Sequence, residues 1–273
     1  MHNTQRERGA SVGYISSDGS KFSSRLKQIR IDTDKTKNDL KNYYRNFDFT
    51  YYPHEMQNKV SIAINILNKL KVKRESIDAI SITAQDAQEY YSILNSFLIN
   101  SINYIAKIST NEKIRKHLYA FTNFLNLKEN TGLERLVLTL AFTKNYFPED
   151  YYEKFIDLIA KEDIYLSKFI SLSTEKNIKL YKNTLVGDAV EEVKKMRKTA
   201  LLNKDNILNI DSAVWFKTMT VKINLLEKIE NHLSEDILNS VSTLKQKAKL
   251  TMIFNLIASL LFLFFIYFLK EDK

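Results

Sequence analysis

The chain has no cysteine and little of the two residues that break helices, with five Gly and two Pro among 273. Without cysteine there is no disulfide, no thiolate metal site and no cysteine nucleophile. Gly and Pro together usually make up about 12% of a chain. Their scarcity excludes collagen, phosphate-cradling glycine loops, flexible linkers and sheet-rich folds with many tight turns. What remains is 44% hydrophobic and 27% charged, which is enough for a full core at this length. The composition predicts an all-α protein.

Catalytic signatures are missing too. His2, His54, His117 and His232 are scattered, with no pair at metal-ligand spacing. No P-loop, nucleophile elbow or zinc helix occurs, so the chain reads as no enzyme, with no metal and no cofactor. The formal charge is +9, from 41 Lys and Arg against 32 Asp and Glu. Such an excess suits nucleic acid, a membrane surface or a small anion. Lysine is spread along the whole chain among the acids, with no basic stripe and no stacking platform, so nucleic acid is not expected as a partner.

The apolar spacing then divides the chain into helices. Phe22, Leu26, Ile29, Thr33, Thr36, Leu40, Tyr43 and Phe47 form one helical face, and Ser16 to Ser20 make the turn before it. Pro53 opens the next helix. Long helices are predicted over 77–108 and 112–144, shorter ones over 149–171, 174–185 and 188–202, and a last one from Ser212. Short connections between eight or nine helices predict two stacked up-and-down four-helix bundles that share the long central helices. Trp215 and Phe216 read as core anchors, and Asp32 and Asp34 as members of a solvated face.

One stretch differs from the rest. Thr251 to Leu269 is nineteen residues without a charge, about 28 Å as a helix and close to the thickness of a bilayer core. It predicts a C-terminal transmembrane helix over 250–270, after a helical domain over 1–249 and before a cytoplasmic stub at 271–273. No apolar leader precedes Gln5 and only four residues follow Leu269. That pattern fits either a tail-anchored protein or a piece of a longer membrane protein.

Two places depart from ordinary bundle patterning. The run Gln5-Arg6-Glu7-Arg8-Gly9-Ala10-Ser11-Val12-Gly13 sets two glycines one turn apart in a helix, and Lys128 to Arg135 sets Gly132 beside a Glu134-Arg135 pair. Glycine inside a helix costs about 1 kcal/mol against alanine, so its presence implies close approach of another helix. Small residues beside Arg on two helices can form a narrow gap lined by guanidinium groups, which suits a small planar anion. The same residues can instead form ion pairs across the bundle, Arg8 with Glu129 or Glu134 and Arg135 with Glu7. Residue chemistry alone favours the ion pairs.

These stretches resemble the nitrate- and nitrite-sensing domain of bacterial receptors and regulators. QRERGASVGYISSDGSKF is similar to that family's first-helix motif. Gln28, Arg30, Thr33 and Asp34 fit the run that follows, Lys128 to Arg135 fit a third motif, and Trp215-Phe216 a fourth. The resemblance implies that Arg8 and Arg135 clamp nitrate or nitrite between central helices, supported by Gly9, Gly13, Glu7, Gly132 and Glu134. It also implies the input module of a transmembrane receptor, single-pass here in the bacterial inner membrane, with a periplasmic sensing domain. Its partners would be the anion, the membrane, a second copy in a homodimer, and a cytoplasmic output domain outside this chain. The alternative is a tail-anchored helical scaffold whose arginines form structural ion pairs.

Overall fold

The computed structural model describes residues 1–271, and the described residues form ten helices without a strand. They are α1 (His2–Ser16), α2 (Ser23–Asn46), α3 (His54–Asn68), α4 (Leu70–Asp78), α5 (Ala84–Ile108), α6 (Glu112–Lys144), α7 (Tyr151–Leu172), α8 (Glu175–Thr184), α9 (Asp188–Leu202) and α10 (Ser212–Glu271). Two of the stub residues expected at 271–273, 272 and 273, lie outside the described residues.

Several helices begin where a side chain satisfies the free N–H groups of the first turn. Asn111 caps α6 by accepting from the Ile114 N–H, and Thr174 caps α8 by accepting from Asn177. The helix expected over 77–108 is in fact two. Thr83 and Asp86 form a reciprocal capping box that starts α5 at Ala84, and Ile80, at φ 50°, ends the preceding turn. Phe22, at φ 68°, is the N-cap residue of α2 and offers no side-chain cap.

The chain divides into two compact units, Met1–Glu230 and Asn231 onward. In the first unit the apolar faces gather into two cores. One joins Ala10 and Ile15 of α1, Leu26 and Ile29 of α2, Leu67 and Leu70 at the α3–α4 junction, and Tyr91 and Leu94 of α5. The other joins Leu138 and Phe142 of α6, Phe155 of α7, Met196 and Ala200 of α9, and Trp215 and Met219 of α10. These are the two bundles the spacing predicts, with α3 and α4 sharing one arm of the first. Helix α6 packs along α5 and also meets α1, so α1 and α6 face each other across the seam between the bundles.

The second unit is helical through Glu271. Residues 251–264 are exposed, and by length and composition the helix carrying them is long and apolar enough to cross a membrane.

Candidate anion-binding site

The seam between α1 and α6 is built from two Glu-Arg steps, one on each helix. Successive residues on a helix point about 100° apart, so each step sends its acid one way and its arginine another. Both arginines turn toward the seam. A Cβ added at Gly132 would lie 3.1 Å from Arg8 Nη2, and one added at Gly9 would lie 2.7 Å from Arg135 Nη2. Each arginine therefore rests on the glycine of the opposite helix, which is why both glycines stand in mid-helix.

The two arginines differ in their neighbours. Arg8 is 1% exposed, donates to Ser92 Oγ at 2.9 Å and forms an ion pair with Glu129. The other Glu129 oxygen accepts from Gln5 at 2.7 Å and from Asn95 at 3.2 Å. Arg135 is 8% exposed and donates to Thr220 Oγ1 at 2.9 Å. Its Cζ sits 4.6 Å from the centre of the Phe216 ring, in cation–π range. Among the described residues no carboxylate lies within ion-pairing distance of it. Burial, then the like charges of Arg8 and Arg25, push its pKa down to about 9. The Nε–H groups of both arginines have no hydrogen-bond partner among the described residues.

Beside Arg135 lies a cleft of about 40 Å³, walled by α1, α2, α6 and α10. Its charged lining is cationic throughout: Arg6, Arg25, Lys128 and Arg135, with no Asp or Glu. His2 also lines it and is neutral. Burial, then Lys128 and Arg6, press its pKa down to about 2. The hydrogen bonds assign its tautomer, because Nδ1 accepts from Lys128 at 2.9 Å and Nε2 donates to Glu227 at 3.0 Å.

The other residues singled out in the sequence are placed as follows. Gly13 seats the Phe22 ring, since an added Cβ would lie 2.6 Å from Phe22 Cε2. Phe22 meets Phe216 edge-on at 5.9 Å, so Gly13 touches the cleft only through two aromatic rings. Glu7 turns into the first bundle, where Arg74 holds it by two bonds of 2.6 and 2.9 Å and the Tyr91 hydroxyl donates at 2.8 Å. The pairing considered for it, with Arg135, is therefore not made. Glu134 turns into the second bundle, where Arg197 donates to it at 2.7 Å and also reaches Glu162 at 2.8 Å. Burial, then Glu162 beside it, push Glu134 up to about 7. Asp34 is no free member of a solvated face either, because Arg74 Nη1 lies 2.8 Å from both its oxygens.

Phe216, Thr220, Arg25 and Glu129 complete the site. Thr220 and Arg25 were not named from the sequence, whereas Glu129 was considered as an ion-pair partner of Arg8, and that pair is made. Phe216 is not a core anchor as expected, whereas its neighbour Trp215 is fully buried. Spacing within α10 carried the needed signal, since residues 216 and 220 are one turn apart and share a face.

Residues 1–238 match the family described as nitrate and nitrite sensing. The nitrate regulatory protein of Klebsiella oxytoca is 22% identical over 187 residues, which cover 68% of this chain and 47% of that protein. The chain thus spans about half the length of that curated relative. The solved structure of the NasR transcription antiterminator superposes with a TM-score of 0.81 at 20% identity, covering 89% of this chain and 66% of that one. The fold is shared with it.

These relatives correct three expectations. One is a nitrate regulatory protein and the other a transcription antiterminator, so the input module of a transmembrane receptor is not upheld, and neither is the alternative of a tail-anchored scaffold. A periplasmic sensing domain held in the bacterial inner membrane falls with the receptor. The uncharged run at 251–269 fixes a length and a hydropathy, and neither says what the helical domain serves. The exclusion of nucleic acid is withdrawn as well, because a protein of this fold works in transcription. Lysine spacing along one chain does not report on such a role.

Proposed function

Because the chain belongs to the nitrate and nitrite sensing family, we propose that it holds nitrate or nitrite in the cleft at the α1–α6 seam, with the anion on Arg135 and Arg8 reinforcing it from across Gly132. One observation carries the reading. Arg135 is a buried guanidinium with no acid to balance it, set in the field of a second arginine. A buried charge without a counter-ion is costly, and a small anion removes that cost. Guanidinium presents parallel N–H groups that match the flat, paired oxygens of either anion.

Binding would favour the arrangement in which α1 and α6 lie closest. Arg8 and Gly9 belong to one helix, and Glu129, Gly132 and Arg135 to the other. The anion can shift the protein only by preferring one helix arrangement over another. In this proposal the sensing domain is 1–249, the function is binding and not catalysis, and the signal feeds the regulation of transcription, in keeping with the names of the relatives.

The strength is bounded. Tiny ligands reach at best about 1.5 kcal/mol per non-hydrogen atom, so the four atoms of nitrate give about 6 kcal/mol, or a Kd near roughly 40 μM. Calorimetric titration of the full chain in detergent should return a nitrate or nitrite Kd of tens of micromolar or weaker. Heats no larger than those of chloride for both anions would end the proposal.

Gly9→Ala separates close approach from helix propensity. The new methyl would sit 2.7 Å from Arg135 Nη2, and that guanidinium is pinned by Thr220 and Phe216. Alanine also favours the helix by about 1 kcal/mol. The expected result is nearly unchanged stability with nitrate affinity at least about tenfold weaker, the loss of one charge-assisted bond. An alanine variant that binds like the parent would show that the clamp does not need the space left by Gly9.

A further inference from the structure

The four cations of the cleft lining are not equivalent. Arg6 is paired with Asp32 at 3.1 Å, and Lys128 with Glu230. Arg135 has no acid. Arg25 has no hydrogen bond and no ion pair with any described residue, and it is exposed. The cleft's unbalanced charge is therefore divided between Arg135 at its wall and Arg25 on α2. Their separation is short enough that Arg25 shifts the titration of Arg135.

The position of Arg25 is itself unusual. It is the third residue of α2, in a first turn that contains no acid and has no side-chain cap. The helix macrodipole disfavours a cation there and favours an acid. Departures from local rules are expected at functional or strained positions. Phe22, the N-cap residue of this helix, and Ile29 within it also line the cleft, so α2 forms a wall of it.

We propose that Arg25 is a third anion-binding residue of this site, closing from α2 over a nitrate or nitrite held by Arg135. This rests on the sensing function proposed above. Arg8 is engaged by Glu129 and Ser92 and does not line the cleft, so Arg25 is the cation free to move onto the ligand. Its long side chain and planar fork can add two parallel bonds to the exposed edge of the anion. The first bundle would then grip the ligand through α2 as well as α1.

The test uses calorimetry with sodium nitrate and sodium nitrite on the full chain in detergent. The parent is compared with Arg25→Gln, Arg25→Lys and Arg45→Gln. Arg45 lies in the last turn of the same helix, so its loss changes net charge equally without touching the cleft. Arg25→Gln should weaken binding at least about tenfold, the effect of one charge-assisted bond, with Arg45→Gln within about twofold of the parent. Arg25→Lys should fall between them, keeping the charge without the fork. The thermal midpoint without anion should not drop in Arg25→Gln, as it would if the residue served only the fold. A parent that binds, matched by Arg25→Gln, overturns the role of Arg25 and leaves the sensing function standing. Equal weakening by Arg25→Gln and Arg45→Gln overturns it too, since net charge then explains both. A folded parent that binds neither anion overturns the sensing function and this inference together.

Discussion

Arg135→Gln is expected to abolish nitrate binding while leaving the anion-free protein about as stable as the parent. Two losses and one gain set the second half of that result. The variant gives up the bond to Thr220 and the stacking on Phe216, about 1 kcal/mol each. It also removes a buried cation that has no acid and is repelled by Arg8 and Arg25. Those effects offset within about 2 kcal/mol. The ligand effect has no such offset. At a nitrate concentration of about one hundred times Kd the parent gains about 2.7 kcal/mol of stability, and the variant should gain nothing. Thermal midpoints with and without nitrate read both quantities in one experiment. Arg135→Lys should also respond poorly, since it keeps the charge and loses the fork. If nitrate stabilises Arg135→Gln as much as the parent, Arg135 is not where the anion sits.

Arg74→Met should have the largest effect on folding, at about 3 kcal/mol or more. Glu7 is fully buried, and Arg74 supplies two of the bonds that hold it there while also gripping both oxygens of Asp34. Breaking a buried pair from one side typically costs about 3–5 kcal/mol, because the remaining charge is left without a counter-ion. Tyr91 still donates to Glu7, and Arg30 Nε lies 3.8 Å away, so the low end of that range is expected. Adding Glu7→Gln to Arg74→Met should recover part of the loss, which a double-mutant cycle in urea would measure. By contrast, Lys161→Ala breaks only the exposed pair with Asp157 and should change stability by less than about 1 kcal/mol. Equal costs for the Arg74 and Lys161 variants would mean that the buried network contributes no more than a surface pair.

The helices were legible because their limits are written locally. Asn111 before α6 and Ser212 at the start of α10 mark breaks that need no knowledge of the fold. The start of α5 was misplaced because Ile77, Ile80 and Ile82 continue an apolar pattern across a capping box that was also present, at Thr83 and Asp86. In the site, Arg8 and Arg135 stood out through the mid-helix glycines beside them. Their differences did not. Arg8 meets Glu129 at a separation of 121 residues and Arg135 meets Thr220 at 85, so only packing decides which arginine is balanced and which is not. Arg74 and Arg197 were equally hidden, since nothing near them in sequence shows that each holds the acid that precedes a seam arginine.

The hydrogen bond from Trp215 to the main chain of Arg135 has an optical consequence. The indole Nε1 donates to the Arg135 carbonyl at 3.0 Å, the ring is wholly buried, and Phe142 meets it edge-on at 5.5 Å. It is the chain's single tryptophan. Indole emission depends on what its N–H donates to and on the rings around it. All of the native tryptophan emission therefore originates one hydrogen bond from the backbone of a seam arginine, and no dye or second tryptophan is needed to watch that segment of α6 in real time.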